Sequence, residues 1–300
     1  MIWSCPTPPP CSWLCGGGCT SSAPHVLDDE LGLRLADRAD ALSTLGLPVA
    51  RRPAEGTGTD LRGDPRISGP VGAPFRPLMV GRARFTEDLV TGLAARGALD
   101  QYVILGAGLD TLALRHRDLL TRLSVYEIDR PGQQCWKEHR LADLGLNVPE
   151  RLRFVPVDFE VGDSWTRRLR GAGFDPTSPS VLAALGLTQY ISEEATTALL
   201  GEAAALTAGS TLVCSFIVPD AVIDPGELDV FNRIRAMAAS RGCPFVADYA
   251  PERLAAMAER VGFDDVRHVT PAEVTALYFA GRPAGLKMPT LEHFLVARRT

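Results

Sequence analysis

The feature that most constrains this chain is Tyr102-Val103-Ile104-Leu105 running straight into Gly106-Ala107-Gly108-Leu109-Asp110-Thr111. Four apolar residues without alternation describe a strand buried on both faces, as in a sheet covered by helices on each side. The glycines then permit a tight turn from strand into helix. At Gly106 and Gly108 the backbone can come close to a ligand, and the following helix N-terminus offers unpaired N–H groups and a positive dipole end. Gly106-Ala107-Gly108 therefore has the outline of a cofactor loop. A glycine pair also marks ordinary turns, so its meaning depends on its downstream company.

That company repeats the same rhythm. Strand-like runs at 102–105, 123–128, 152–157, 180–185 and 211–218 alternate with helix-length segments, which predicts an α/β fold with a doubly wound parallel sheet. With 300 residues, 46% of them hydrophobic, the chain is long enough to fill such a core. After Val218 the rhythm changes. Residues 227–240 read as an inserted helix, 251–261 as a further crossover helix, 263–269 as a sixth strand and 292–297 as a last one. A loop rather than a helix is expected between the closing strands, which makes them an antiparallel hairpin edge. A nicotinamide-binding Rossmann domain would continue its parallel repeat.

Upstream of the sheet, residues 1–24 mix Pro8-Pro9-Pro10, Gly16-Gly17-Gly18 and Thr20-Ser21-Ser22 and read as a disordered extension. Residues 26–47 carry leucines at loose helical spacing, 48–77 are rich in Pro, Gly and Arg as in a long loop or substrate-side cover, and 78–96 return to helical patterning. The formal charge of −5 gives no electrostatic footprint for nucleic acid. No apolar run reaches the roughly 18 residues that span a bilayer, and the start lacks a signal-peptide pattern, so the expected setting is cytoplasmic with no membrane partner. Cys5, Cys11, Cys15 and Cys19 crowd the start without a Cys-x-x-Cys pair, so no metal site is expected there. Cys135, Cys214 and Cys243 stand singly and read as small buried thiols.

In doubly wound sheets ligands bind outside the carboxyl ends of the strands. The first end presents Gly106, Gly108 and Asp110. The second presents Glu127 and Asp129, about twenty residues past the glycine turn, where an acid can accept from both hydroxyls of a ribose. Alternation sends both carboxylates to one side, with Asp129 at the tip, although a strand-end acid also serves as a helix cap. At the third end Asp158 can accept from an exocyclic adenine amine while Phe159 packs at the base; a capping role competes here too. The fourth end is Gly186-Leu187-Thr188-Gln189-Tyr190. Before the sheet, Arg82-Ala83-Arg84-Phe85 supplies guanidinium forks suited to a carboxylate, or simply two surface arginines on a helix.

Leu105-Gly106-Ala107-Gly108-Leu109-Asp110-Thr111, then Tyr126-Glu127-Ile128-Asp129-Arg130-Pro131, then Phe154-Val155-Pro156-Val157-Asp158-Phe159, in this order and spacing, resemble the leucine carboxyl methyltransferase-like family of S-adenosylmethionine-dependent methyltransferases. Its actinobacterial branch includes O-methyltransferases of polyketide tailoring. The resemblance runs from about Val26 to the end, where Tyr278-Phe279-Ala280-Gly281-Arg282 also matches. It implies a class I methyltransferase fold with a Rossmann-like seven-stranded sheet whose last strand is antiparallel. Residues 25–98 would form an N-terminal helical cover and 99–300 the core, with an insertion at 219–250. It implies Arg84, with Arg82 beside it, on the methionine carboxylate; Gly106 and Gly108 under the cofactor; Asp129 on the ribose; and Asp158 with Phe159 near the adenine, while Ala107, Asp110 and Glu127 join the expected cofactor site by their places at the strand ends. Many relatives carry a glutamate where this chain has Leu185.

The expected activity is O-methylation of a carboxylate or hydroxyl on a small molecule, such as a polyketide or another product of secondary metabolism. A carboxylate acceptor is already ionised, whereas a phenol or alcohol needs a base within reach. His25, His116, His139, His268 and His293 make no arrangement with a carboxylate that defines one. Tyr190 is the candidate for orienting the acceptor, against a plain core-tyrosine role. Two rivals share these features: an NAD(P)-dependent oxidoreductase of Rossmann type, although Thr111 stands where its third fingerprint glycine belongs, and a non-catalytic cofactor-binding scaffold. Oligomeric state is not legible.

Overall fold

The computed structural model describes residues 26–27, 29–35, 76–282 and 286–300. The expected extension over 1–24, nearly all of the 48–77 segment and the four crowded cysteines lie outside the described residues. Among those described, the chain runs α1 (Glu30–Leu35), α2 (Arg76–Ala95), β1 (Gln101–Leu105), α3 (Leu112–Arg115), β2 (Ser124–Asp129), α4 (Pro131–Asp143), β3 (Leu152–Pro156) and α5 (Trp165–Gly171). It continues through β4 (Ser180–Ala184), α6 (Glu193–Ala204), β5 (Thr211–Ile217), α7 (Pro225–Ser240), α8 (Pro251–Val261), β6 (Asp265–Val269), α9 (Pro271–Tyr278) and β7 (Glu292–Arg298).

The strands form one seven-stranded sheet in the order β3-β2-β1-β4-β5-β7-β6. β1 pairs in parallel with β2 and β4, β2 with β3, and β4 with β5; β7 alone runs against both its neighbours, β5 and β6. The unbroken apolar run of β1 is explained by two cores. Val103 and Leu105 join Tyr126, Ile128 and Leu182 on one face, while Tyr102 and Ile104 join Val125 and Ala183 on the other. Each such side chain contributes about 1.5–3 kcal/mol when fully buried, so a central strand needs no polar face.

The closing strands differ from expectation, because α9 rather than a loop lies between them. Pro271 opens this helix and Thr270 with Glu273 forms a reciprocal capping box, the Thr270 N–H donating to Glu273 Oε2 at 2.7 Å. Those caps stabilise a helix of only two turns. α9 packs on α2 across Gly81, where an added Cβ would lie 2.6 Å from Met288 Sδ and 3.2 Å from Val274 Cγ1. The Tyr278 hydroxyl also donates to Asp88 at 3.0 Å. The late crossover thus seats α2 against the sheet.

The cysteine expectation holds for Cys214, a fully buried free thiol. Cys135 and Cys243 are disulfide-bonded instead; distance along the chain does not keep a cysteine from meeting another in space. No described helix is long and apolar enough to cross a membrane.

Candidate functional site

A cavity of about 300 Å³ opens at the carboxyl ends of β1 to β4, at the point where the strand order reverses between β1 and β4. Crossovers leave that point toward opposite faces, so the loops part and leave a crevice. Its floor is Gly106, Ala107 and Gly108. Gly106 has φ +72° and Gly108 φ +50°, left-handed conformations that favour glycine. The N–H groups of Gly106 and Ala107 both donate to the Ile128 carbonyl, at 2.8 and 3.0 Å, which pins the loop to the end of β2. A Cβ on Gly108 would meet nothing within 4 Å, so the loop is open on the side a ligand would take.

Asp129 follows directly. One carboxylate oxygen accepts the Gly108 N–H at 2.7 Å and the other the Arg130 N–H at 2.7 Å. Each oxygen keeps a second lone pair, and Asp129 lines the cavity. Burial raises its pKa above the usual carboxylate value, while the two amide hydrogen bonds oppose the rise. Asp110 also lines the cavity; its Oδ1 caps Leu112 N–H at 2.8 Å, and burial raises its pKa against the pull of Lys137. At the end of β3, Asp158 accepts the Glu160 N–H at 3.0 Å and, with Phe159 and Glu160, lines the cavity. The capping and cavity-lining readings of Asp158 therefore coexist.

Two expected site residues lie elsewhere. Glu127 is 1% exposed and paired with the equally buried Lys137. It sits two residues below Asp129 on a strand that rises about 3.3 Å per residue, which puts its carboxylate under the glycine loop rather than in the cavity. Lys137 Nζ also donates to the Asp110 carbonyl at 2.7 Å, so this pair braces the loop from beneath. Burial pushes the Glu127 carboxyl up to about 7 despite the neighbouring ammonium.

Arg84 is the second correction. It is 42% exposed and ion-paired with Asp88 at 2.9 Å, whereas Arg82 lines the cavity. Residues two apart on a helix do not share a face, so α2 can aim only one of the two inward. Arg82 Nη1 donates to Glu292 at 3.2 Å, Nη2 lies 3.2 Å from Met79 Sδ, and the guanidinium rests on Gly186, where a Cβ would come within 2.5 Å of Nη1.

The wall beyond β4 is mostly uncharged. Leu185, Leu187, Tyr190, Ile191, Pro244 and Val246 line it. Tyr190 packs edge-on against Phe245 with ring centroids 5.1 Å apart, and Val246 N–H donates to the Gln189 carbonyl at 2.8 Å, which ties the segment after α7 to this wall. The 219–250 insertion thus contributes Gly242, Cys243, Pro244 and Val246 to the cavity; none of them is an expected site residue, although Gly242-Cys243-Pro244 carries the glycine and proline of a turn. Gln133, on the first turn of α4, was also missed. Among the described residues no group of three or more His, Cys, Asp or Glu is placed to hold a metal ion.

Comparison with known proteins accords with this geometry. Residues 18–204 match the leucine carboxyl methyltransferase family. A Bacillus subtilis protein named as an S-adenosyl-L-methionine-dependent methyltransferase, YktD, is 30% identical over 222 residues, 74% of this chain and 72% of that protein. A Mycobacterium marinum protein named for the same activity is 39% identical over 170 residues, covering 56% of this chain and half of the relative's own length. In fold, the chain is similar to a methyltransferase structure from Thermobifida fusca (TM-score 0.53, 17% identity, 76% of this chain and 83% of that one). It is also similar to a DUF574 family protein from Streptomyces avermitilis (TM-score 0.51, 18% identity, 77% and 89%). With its seven-stranded class I sheet and the loop, acid and cavity in register, this chain belongs to the leucine carboxyl methyltransferase family and is an S-adenosyl-L-methionine-dependent methyltransferase.

Proposed function

We propose that the chain is an O-methyltransferase for a small organic acceptor whose carboxylate or hydroxyl oxygen takes the methyl group. The observation that carries this reading is the wall beyond β4, uncharged and apolar apart from the Tyr190 phenol. Such a wall receives an apolar carbon skeleton, and it suits an oxygen nucleophile that arrives ionised, because no proton then has to be removed at the moment of transfer. The cavity size falls in the range of small-molecule sites. A polyketide or similar secondary metabolite bearing an acidic oxygen fits that combination.

The donor set fits the cofactor. Asp129 has two lone pairs left for the ribose hydroxyls, Gly106 to Gly108 form an open floor, Asp158 and Phe159 are the groups proposed for the adenine, and Arg82 offers a guanidinium for the methionine carboxylate. When bound, S-adenosyl-L-methionine supplies a methyl group already activated by its sulfonium. The chain's own task is to align the acceptor oxygen with that carbon and to keep water out. Tyr190 is the group proposed to orient the acceptor by donating its hydroxyl. Residues 25–98 are proposed as the cover, which α2 supports by bringing Met79, Arg82 and Ala83 to the cavity. Family membership sets aside the oxidoreductase rival.

The test is product analysis with methyl-labelled S-adenosylmethionine and matched panels of aromatic and aliphatic carboxylic acids, phenols and amines. Label is expected in alkali-labile esters or alkali-stable ethers, with turnover lowered about 10- to 100-fold in Tyr190→Phe. Label found only on nitrogen or carbon would contradict the O-methyltransferase reading.

A further inference from the structure

Glu292 is the first residue of β7 and is 2% exposed. It does not line the cavity. Because β7 runs antiparallel, its start pairs with Ile217 at the carboxyl end of β5, on the same sheet edge as the site. There its carboxylate takes Arg82 Nη1 at 3.2 Å, across 210 residues of chain. A carboxylate buried to this degree requires a partner, and a long arginine side chain loses much rotamer freedom when it is held. Three groups fix this one: Glu292 on Nη1, Met79 Sδ near Nη2 at 3.2 Å, and the bare backbone of Gly186 beneath the plane.

We propose that Glu292 is the positioning residue for Arg82, holding the guanidinium over Gly186 so that the anion-binding end of the cavity is set by the last strand of the sheet. The inference rests on the reading of Arg82 as the partner of the cofactor carboxylate. It also explains why Arg82 rather than Arg84 faces inward: a buried acid waits for the first, while Asp88, on the exposed face of α2, pairs with the second.

Two ligands that differ at the amino-acid end separate positioning from general support. S-adenosylhomocysteine carries the carboxylate and 5′-methylthioadenosine lacks it. By calorimetric titration, Glu292→Gln is expected to weaken S-adenosylhomocysteine by about tenfold and to leave methylthioadenosine unchanged. Glu292→Asp, which keeps the charge, should recover part of the loss. Arg82→Ala should show the same selectivity, and adding Glu292→Gln to it should change nothing further, because the two residues act as one unit. Arg84→Ala is the control with no effect.

Equal weakening of both ligands by Glu292→Gln, or an unchanged affinity for S-adenosylhomocysteine, would overturn the proposal. If Arg82→Ala spares S-adenosylhomocysteine, the reading of Arg82 fails and the proposal falls with it. If Arg82→Ala weakens it and Glu292→Gln does not, the positioning role alone fails. Should Glu292→Gln not fold, Glu292→Asp, which keeps the charge but shortens the reach to Arg82, takes its place; a smaller loss confined to S-adenosylhomocysteine is expected there, and equal loss for both ligands would again overturn the proposal.

Discussion

Glu127 and His293 titrate in opposite senses inside the same sheet. Burial raises Glu127 from 4.5 to about 7, so the folded chain holds a proton that the unfolded chain has lost. Its contribution is full below pH 4.5 and fades as pH rises through 7. Burial first, and His268 second, lowers His293 from 6.5 to about 4, with the His268 Nε2 to His293 Nδ1 hydrogen bond at 2.7 Å. Its contribution is full above pH 6.5 and is lost as pH falls toward 4. The two slopes oppose each other between 4.5 and 6.5. Glu127→Gln is therefore expected to make stability climb with pH across that window in urea unfolding, and His293→Gln to make it fall. Identical pH profiles for wild type and both variants would contradict the burial account. At this scale the sequence was legible where a residue's place follows from the strand that carries it, as with Asp129 at the edge of the cavity. It was silent where a partner arrives from elsewhere: Lys137 buries Glu127, and Glu292 selects Arg82.

Between elements, Thr111 shows how a local departure gains its meaning from a distant contact. By position it fails the third glycine of a dinucleotide fingerprint. In the fold its hydroxyl donates to Asp29 Oδ2 at 2.7 Å. Asp29 is 1% exposed, and its other oxygen accepts the Gly32 N–H at 2.8 Å and meets Arg115 Nε at 3.4 Å. Arg115 in turn pairs with Glu87, so one buried network ties α1, α2 and α3 together just behind the glycine loop. Thr111→Val keeps the shape and removes the donor. It is expected to lose about 1–3 kcal/mol in thermal or urea unfolding, with hydrogen exchange rising at 29–35 more than in β5. Uniform exchange along the chain would count against a latch on α1. The strands were legible because burial on both faces leaves an unbroken apolar mark. α9 was not, because eight residues carry too little periodicity, although Thr270-Pro271-Ala272-Glu273 holds the capping-box pattern that announces it.

At the scale of the molecule, the strand order places four loops around one crevice, and each brings a different part of a single site: the glycine floor after β1, Asp129 after β2, Asp158 and Phe159 after β3, and the neutral wall after β4. The order follows from where the late crossovers go, which no single segment reveals, whereas the antiparallel edge was legible in the change of rhythm after Val218, and the resemblance added the seven-stranded class I frame. Titration calorimetry of the protein with S-adenosylhomocysteine, with NADH as control and Asp129→Ala as the variant, tests the account most directly. It predicts binding of S-adenosylhomocysteine, none of NADH, and loss of at least about tenfold in affinity when the carboxylate is removed. NADH binding, or S-adenosylhomocysteine binding that survives Asp129→Ala unchanged, would contradict it.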